Sequence, residues 1–445
     1  MSEAATPPGS VPGTVFPPGF DPTAESVEKT LCFRGFWAWA VLIFLIVLGI
    51  LLFMWLLRKC IQGPAYRKAN RIDGKVVIVT GCNTGIGKET VLELAKRGAR
   101  VYMACRDPGR CEAARLDIMD RSRNQQLFNR TLDLGSLQSV RNFVERFKAE
   151  ESRLDILINN AGVMACPRTL TADGFEQQFG VNHLGHFLLT NLLLDRLKHS
   201  SPSRIVVVSS AAHLFGRINR EDLMSEKNYS KFFGAYSQSK LANILFTLKL
   251  STILKDTGVT VNCCHPGVVR TEINRHFSGP GWMKTALQKG SLYFFKTPKA
   301  GAQTQLRLAL DPQLEGSTGG YYSDCMRWPL FPWVRNMQTA DWLWRESEKL
   351  LGLPPLEPPP PVQSPTQNGN GTQNGNGSSS ASASASSNNP ASQNAIRGNG
   401  RGQSFVVVVR VLHWSADLAL NLIPCNMACL STLGNTQCGM RPIRV

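Results

Sequence analysis

The stretch KVVIVTGCNTGIGKETVLELAKRG, residues 75–98, limits the possible folds more than any other part of this chain. Its opening run of β-branched residues, KVVIVTG (75–81), has no polar alternation, so it reads as a strand buried on both faces. Gly81, Gly85 and Gly87 then turn the chain, and KETVLELAKRG (88–98) reads as a helix stopped by glycine. The same alternation continues downstream. ARVYMACR reads as a second strand, followed by a helix through 109–123 and a third short strand at RTLDL. SLQSVRNFVERFKAE is a helix, LDILINNAG a fourth strand, SRIVVVSS (203–210) a fifth and VTVNCCHPG (259–267) a sixth. Strands that alternate with helices predict an α/β fold, a Rossmann-type doubly wound parallel sheet forming a single domain over residues 74–350.

Other segments lie outside that domain. Residues 1–34 are rich in Pro, Gly, Ser and Thr towards their start, and are expected to be disordered. GFWAWAVLIFLIVLGILLFMWLL, residues 35–57, contains no charge. As a helix it spans about 35 Å, enough for a hydrocarbon core of roughly 30 Å. Trp37, Trp39 and Trp55 near its ends suit the two interfaces. Arg58, Lys59, Arg67, Lys68 and Arg71 follow it, so the positive-inside rule puts the catalytic domain on the cytosolic side of a single-pass anchor. The endoplasmic reticulum is the expected membrane. The twelve cysteines form no CxxC pair or zinc-spaced cluster, and are expected to be reduced thiols with no metal site. Almost all of the net charge of +17 lies between residues 58 and 350. No nucleic-acid motif accompanies it, so a membrane surface and a phosphate-rich cofactor account for it better than nucleic acid does. Residues 351–404 read as a Pro/Asn/Gly/Ser-rich linker. Residues 405–445 form a tail whose apolar runs are broken by Arg410, His413 and Asp417.

The glycine turn carries the first chemistry. Glycines at a strand-to-helix junction allow close backbone approach, and the helix N-terminus offers its amides to a pyrophosphate. The spacing is GxxxGxG. At the end of the second strand an acid would favour NAD, and an arginine the 2′-phosphate of NADP. Here Cys105 stands where the acid would be and Arg106 follows, so Arg106 is the expected 2′-phosphate clamp and NADPH is expected over NADH. Asp133 of LDL, with Asn160, Ala161 and Gly162 of NNAG, would line the adenine and ribose side.

TGCNTGIG, NNAG, Asn182 in FGVNHLGHF, VVVSS, YSQSK and HPG occur in this order, and together they resemble the short-chain dehydrogenase/reductase family over residues 74–350. GCNTGIGKET, YMACRD, NNAGVM, AYSQSKLANILF and HPGVVRTE look like its membrane-anchored retinol dehydrogenase branch. The resemblance implies a catalytic set of Asn182, Ser210, Tyr236 and Lys240. It also implies that Asn83, Thr84, Ile86, Leu134, Pro266, Gly267 and Thr271 join Gly81, Gly85, Gly87, Tyr236 and Lys240 around the cofactor. NADP-dependent members often carry a basic residue before the second glycine. This chain has Thr84 there, so the cofactor preference rests on Arg106.

The residues make chemical sense by themselves. Tyr236 and Lys240 are four apart and share one helix face. A free phenol has a pKa of about 10, and the Lys240 ammonium together with an oxidised nicotinamide would lower it. Tyr236 then serves as general acid for carbonyl reduction or base for alcohol oxidation. Ser210 can bind the substrate and hydrogen-bond its oxygen as that oxygen gains charge, and Asn182 would hold a water that relays protons to Lys240.

After HPGVVRTE comes an apolar segment with Trp282, Met283, Leu287, Leu292, Tyr293, Phe294 and Phe295. Such a cover beside a membrane suits a lipophilic substrate. Three readings remain open from the sequence. The first is an NADP(H)-dependent oxidoreductase of retinal and retinol. The second is the same chemistry on steroids or other lipid carbonyls. The third is a non-catalytic membrane adaptor whose Pro-rich segment 354–365 recruits a partner. Oligomeric state is not readable.

Overall fold

The computed structural model describes residues 22–272 and 294–356, and divides into two units, residues 1–60 and 61–445. The first unit is one helix, α1 (Pro22–Gln62, which runs two residues past the boundary). Phe36–Gln62 is long and apolar enough to cross a membrane, and its most apolar 18-residue stretch has a mean hydropathy of 3.1 with none of that stretch buried in protein. The expectation of disorder up to residue 34 is corrected here, because the helix already begins at Pro22. Helix formation has a costly nucleus but propagates cheaply, so TAESVEK extends the apolar helix, and proline is well suited to its first position. Residues 1–21 lie outside the described residues.

The second unit is a sheet covered on both faces. In chain order its strands are β1 (Val76–Thr80), β2 (Arg100–Cys105), β3 (Leu127–Thr131), β4 (Ile156–Asn159), β5 (Ser203–Val208), β6 (Val259–His265), β7 (Tyr321–Ser323) and β8 (Met326–Trp328). They are arranged β3-β2-β1-β4-β5-β6-β7-β8. All pairs are parallel except β7–β8. The pleat explains the unbroken apolar run of β1. Val76 and Ile78 point into one hydrophobic cluster, while Val77 and Val79 point into the other. The order in which strands are added reverses between β1 and β4, and the carboxyl ends there open the crevice in which such sheets hold ligands.

The covering helices follow from the same patterning: α2 (Gly85–Lys96), α3 (Pro108–Ser122), α4 (Leu137–Glu150), α5 (Gly185–His199), α6 (Ser237–Ile253), α7 (Gln303–Leu310) and α8 (Met337–Leu350). Asp107, Ser136 and Asn336 cap α3, α4 and α8 by accepting a backbone N–H. Helix α8 seals the far side of α5 and α6. Trp344 lies 4.6 Å from Phe187 and 5.8 Å from Phe246, centroid to centroid, and its indole N–H donates to Glu348.

Four further features of the structure differ from what the sequence predicts. The third strand is LFNRT rather than RTLDL. Phe128, Asn129 and Arg130 are only half-buried on this outer strand, which hides its pattern, and Gly135 N–H bonding to Asp133 then turns the chain. Two short strands, β7 and β8, extend the sheet beyond the six expected, the last of them antiparallel. The catalytic domain runs past residue 350, since Leu353 and Leu356 pack on the core and Leu356 N–H donates to Glu348. Finally, the cysteines are not all free thiols, because Cys105 and Cys111 are joined in a disulfide. They stand six residues apart, at the end of β2 and in the first turn of α3, with buried side chains that face each other. Residues 357–445, including most of the expected linker and the whole tail, lie outside the described residues.

Candidate active site

The β1–α2 turn approaches its neighbours more closely than any side chain allows. A Cβ on Gly81, whose φ is +64°, would lie 2.7 Å from Ala161 Cα, and one on Gly87 would lie 2.5 Å from the Gly81 carbonyl oxygen. The β4–α5 connection is fastened to this turn. Asn160 Nδ2 donates to the Thr80 and Gly81 carbonyls at 2.8 and 3.1 Å, and Thr80 Oγ1 accepts from the N–H groups of Asn160 and Ala161, each at 2.9 Å. The result is a cleft above the start of α2.

Most of the expected cofactor residues line that cleft: Gly81, Asn83, Thr84, Gly85, Ile86, Gly87, Arg106, Asp133, Leu134, Asn160, Ala161, Gly162 and Thr271. These residues fit a dinucleotide, with a glycine cradle that a Cβ would fill, a twelve-residue helix presenting its N-terminal amides, and an exposed guanidinium at the far end. Asp107, Arg110 and Glu272 also line the cleft and were not expected. Asp107 accepts from Arg110 N–H as the cap of α3, and the Arg110 side chain pairs with Glu272 at 2.5 Å. The sequence held one signal for Asp107 and Arg110, since the first helical turn after Arg106 must face the same crevice.

Pro266 and Gly267 do not line this cleft. They follow β6, where His265 Nδ1 accepts from Ala211 N–H at 3.2 Å and so joins the end of β6 to the segment after Ser210. Gly267 has a φ of +86° and lies against Lys296, whose ammonium pairs with Asp324.

Ser210, Tyr236, Lys240 and Asn182 come together at the carboxyl ends of β4 and β5. Ser210 caps the short 3-10 turn Ala211–Phe215, its Oγ accepting from Ala212 N–H at 3.2 Å, and its hydroxyl lies near enough to Tyr236 to favour the phenolate. Ser209 is otherwise engaged, donating to the Lys240 carbonyl at 2.8 Å. Tyr236 ends a π-helical turn, Lys231–Tyr236, that leads into α6, and its ring stacks on Phe232. Asn182 sits in a second π turn, Gly180–Leu184, leading into α5. Such turns reorient side chains at the head of a helix and are frequent at functional sites. Asn182 Nδ2 donates to Val163 O at 2.9 Å and to Ser239 Oγ at 3.0 Å, and its Oδ1 accepts from Val163 N–H at 2.8 Å. Lys240 Nζ donates to Val208 O at 3.2 Å and lies 5.7 Å from the centre of the Tyr236 ring.

Burial dominates the electrostatics of this group. Burial pushes Tyr236 up to about 12, and the hydrogen bond from Ser210 acts against it. Burial also pushes Lys240 down to about 8, which weakens the cation that was to do the lowering. A positive charge arriving beside Tyr236 therefore has more to offset than the spacing alone suggests.

The turn after Ser210 and the start of α6 contribute to a groove lined mostly by apolar side chains, Leu214, Phe215, Ile218, Phe233, Leu241 and Trp333, with Arg217 and Thr339 among them. Of the expected substrate cover, Trp282, Met283, Leu287, Leu292 and Tyr293 lie outside the described residues, and Phe294 and Phe295 are half-buried.

Comparison with known proteins agrees with the geometry. The short chain dehydrogenase family profile matches residues 75–279. Human retinol dehydrogenase 12 is 53% identical over 297 residues, which cover 67% of this chain and 92% of that protein. The chain belongs to the short-chain dehydrogenase family. Human retinol dehydrogenase 14, 48% identical over 319 residues and matched over 95% of its length, places this short-chain dehydrogenase in the retinol dehydrogenase branch. A crystal structure of an uncharacterised protein from Mycobacterium paratuberculosis shares its fold, with 36% identity, a TM-score of 0.52, and coverage of 65% of this chain and 98% of that one. This short-chain dehydrogenase is an oxidoreductase with a nicotinamide cofactor, and its N-terminal helix accords with association with a membrane.

Proposed function

We propose that this protein is an NADP(H)-dependent oxidoreductase that interconverts a lipophilic carbonyl and its alcohol, with retinal and retinol as the preferred pair. The observation that carries the reading is the meeting of the Ser210 and Tyr236 hydroxyls beside Lys240, at the mouth of a cleft built for a dinucleotide. The retinol dehydrogenases 12 and 14, about half identical to this chain, supply the substrate class, and the neighbouring apolar groove suits it.

The cofactor, when bound, supplies or accepts the hydride. The chain's own residues do the rest. The glycine turn and the α2 amides receive the pyrophosphate, Asp133 and Asn160–Gly162 line the nucleoside side, and Arg106 selects the 2′-phosphate. Ser210 donates to the substrate oxygen as charge develops on it. Tyr236 gives that oxygen its proton during reduction and takes it back during oxidation. Lys240 orients the site and offsets the cost of the phenolate, while Asn182, clamped to Val163, fixes the α5 end of the proton path. The domain works on the cytosolic side of the endoplasmic reticulum, anchored by α1.

The reading is tested by assaying the full-length protein on retinal, medium-chain aldehydes and steroid ketones with NADPH and with NADH. Retinal turnover with NADPH well above NADH is expected. Turnover of steroid ketones alone would replace the substrate, and turnover of no carbonyl with either cofactor would leave the adaptor reading.

A further inference from the structure

Three buried sulfurs sit directly beneath the adenosine end of the cleft. Cys82 lies in the glycine turn, Cys105 ends β2 and Cys111 stands in the first turn of α3, and their sulfurs are all within 4.8 Å of one another. Cys105 and Cys111 are bridged, and the Cys82 sulfur lies 3.7 Å from that of Cys105. The bridge closes a loop of five exposed residues, Arg106–Arg110. Arg106, Asp107 and Arg110 of that loop line the cofactor cleft. The bridge therefore staples the segment that has to meet the cofactor's 2′-phosphate.

We infer that Cys105 and Cys111 form a thiol–disulfide exchange site, served by a low-molecular-weight thiol and its disulfide, and that the bridged state holds Arg106–Arg110 ready for the 2′-phosphate. This inference rests on the reading of the cleft as an NADP(H) site. The exchange is balanced. A small-molecule thiolate attacks one sulfur of the bridge, forming a mixed disulfide, and the other cysteine leaves as a thiolate and takes up a proton. A second small thiol then releases the first cysteine. One protein S–S bond is lost, one small-molecule S–S bond is gained, and two hydrogens pass to the protein. Both sulfurs are buried, but the loop between them is exposed, so opening that loop admits the attacking thiol without unfolding the sheet. Cys82 lies outside the segment that opens and donates its thiol to the Val79 carbonyl at 3.2 Å, so the exchanging pair stays Cys105–Cys111.

A disulfide in a reducing compartment is transient and responds to redox state rather than serving as a fixed brace. On the cytosolic side proposed for this domain, the bridge thus becomes a variable. Its loss loosens Arg106 and the Asp107-capped first turn of α3, which cofactor binding must then order again, and this weakens affinity.

The test uses the full-length protein in detergent micelles, equilibrated in glutathione buffers from reducing to oxidising. Alkylation and mass spectrometry count free thiols at Cys105 and Cys111, and Kd values for NADPH and NADH are measured in each buffer. The two thiols are expected to appear and disappear together, with NADPH bound roughly threefold to tenfold more weakly in the reduced state and NADH less affected. Cys111→Ser should fix the weaker value in every buffer, and Cys82→Ala should leave the titration in place. Equal NADPH affinity in all buffers, or two alkylatable thiols even in the most oxidising one, overturns the inference. Should Cys111→Ser fail to fold, the wild-type titration still decides. Binding of NADPH over NADH without redox dependence defeats this inference alone, whereas binding of neither defeats the cofactor reading with it.

Discussion

Replacing Arg106 with alanine isolates the feature on which the proposed cofactor choice depends. Arg106 is exposed at the mouth of the cleft, and Asp107 next to it is committed to capping α3. Arg110, the other guanidinium at this end, is paired with Glu272. Thr84 supplies no charge at the glycine turn. Arg106 is therefore the cation we propose for the 2′-phosphate. Hydrogen bonds to charged groups contribute about 1.5–3 kcal/mol, and solvent screening at an exposed site favours the lower part of that range. A loss of about 1.5 kcal/mol corresponds to roughly tenfold in Kd. NADH has no 2′-phosphate, so its affinity should stay within about twofold. Titration of cofactor fluorescence against the full-length variant in detergent measures both numbers. If Arg106→Ala leaves NADPH affinity unchanged, or weakens NADPH and NADH equally, the assignment of the 2′-phosphate clamp is wrong.

Two further predictions concern stability. Burial pushes His183, His186, His213 and His265 down to about 3, 4, 4 and 3, below their unfolded value. The stability they contribute is fully present above about pH 6.5 and is lost as pH falls towards 4, at up to about 1.4 kcal/mol per pH unit for each histidine. Urea unfolding followed by tryptophan fluorescence should show a steep loss between pH 6.5 and 5, and a flat profile there would refute the buried, neutral histidines. Trp344→Ala removes the ring wedged between Phe187 and Phe246, and a loss of about 3–5 kcal/mol is expected from denaturant midpoints. A loss below 1 kcal/mol would mean that α8 is not a structural part of the core.

The sequence revealed those parts of the fold that obey a strong period. β1 is apolar throughout because both its faces are covered, and the glycine turn is conspicuous because Gly81 and Gly87 sit where a Cβ would collide with backbone. Strand β3 shows no clear period because, at the edge of the sheet, three of its five residues are only half-buried and one is exposed. Strands β7 and β8 have three residues each, too few for any period to show. The chemistry-bearing motifs were legible as motifs, but their electrostatics were not. Spacing puts Lys240 near Tyr236, whereas the shift of both groups comes from burial, which depends on everything packed around α6. Nor does a six-residue separation in sequence say whether Cys105 and Cys111 meet, since that depends on the turn from β2 into α3. Arg110 and Glu272 form a pair 162 residues apart that only the folded chain brings together.

The central claim is that the Tyr236 hydroxyl carries the proton. Tyr236→Phe keeps the ring that stacks on Phe232 at 5.6 Å and removes only the oxygen. The decisive measurement is the single-turnover rate of NADPH consumption with retinal, for wild type and for this variant, with NADPH affinity measured alongside. The rate should fall by about 10²–10⁴-fold while NADPH Kd stays within about twofold. A rate preserved within a few-fold would contradict the account at its centre.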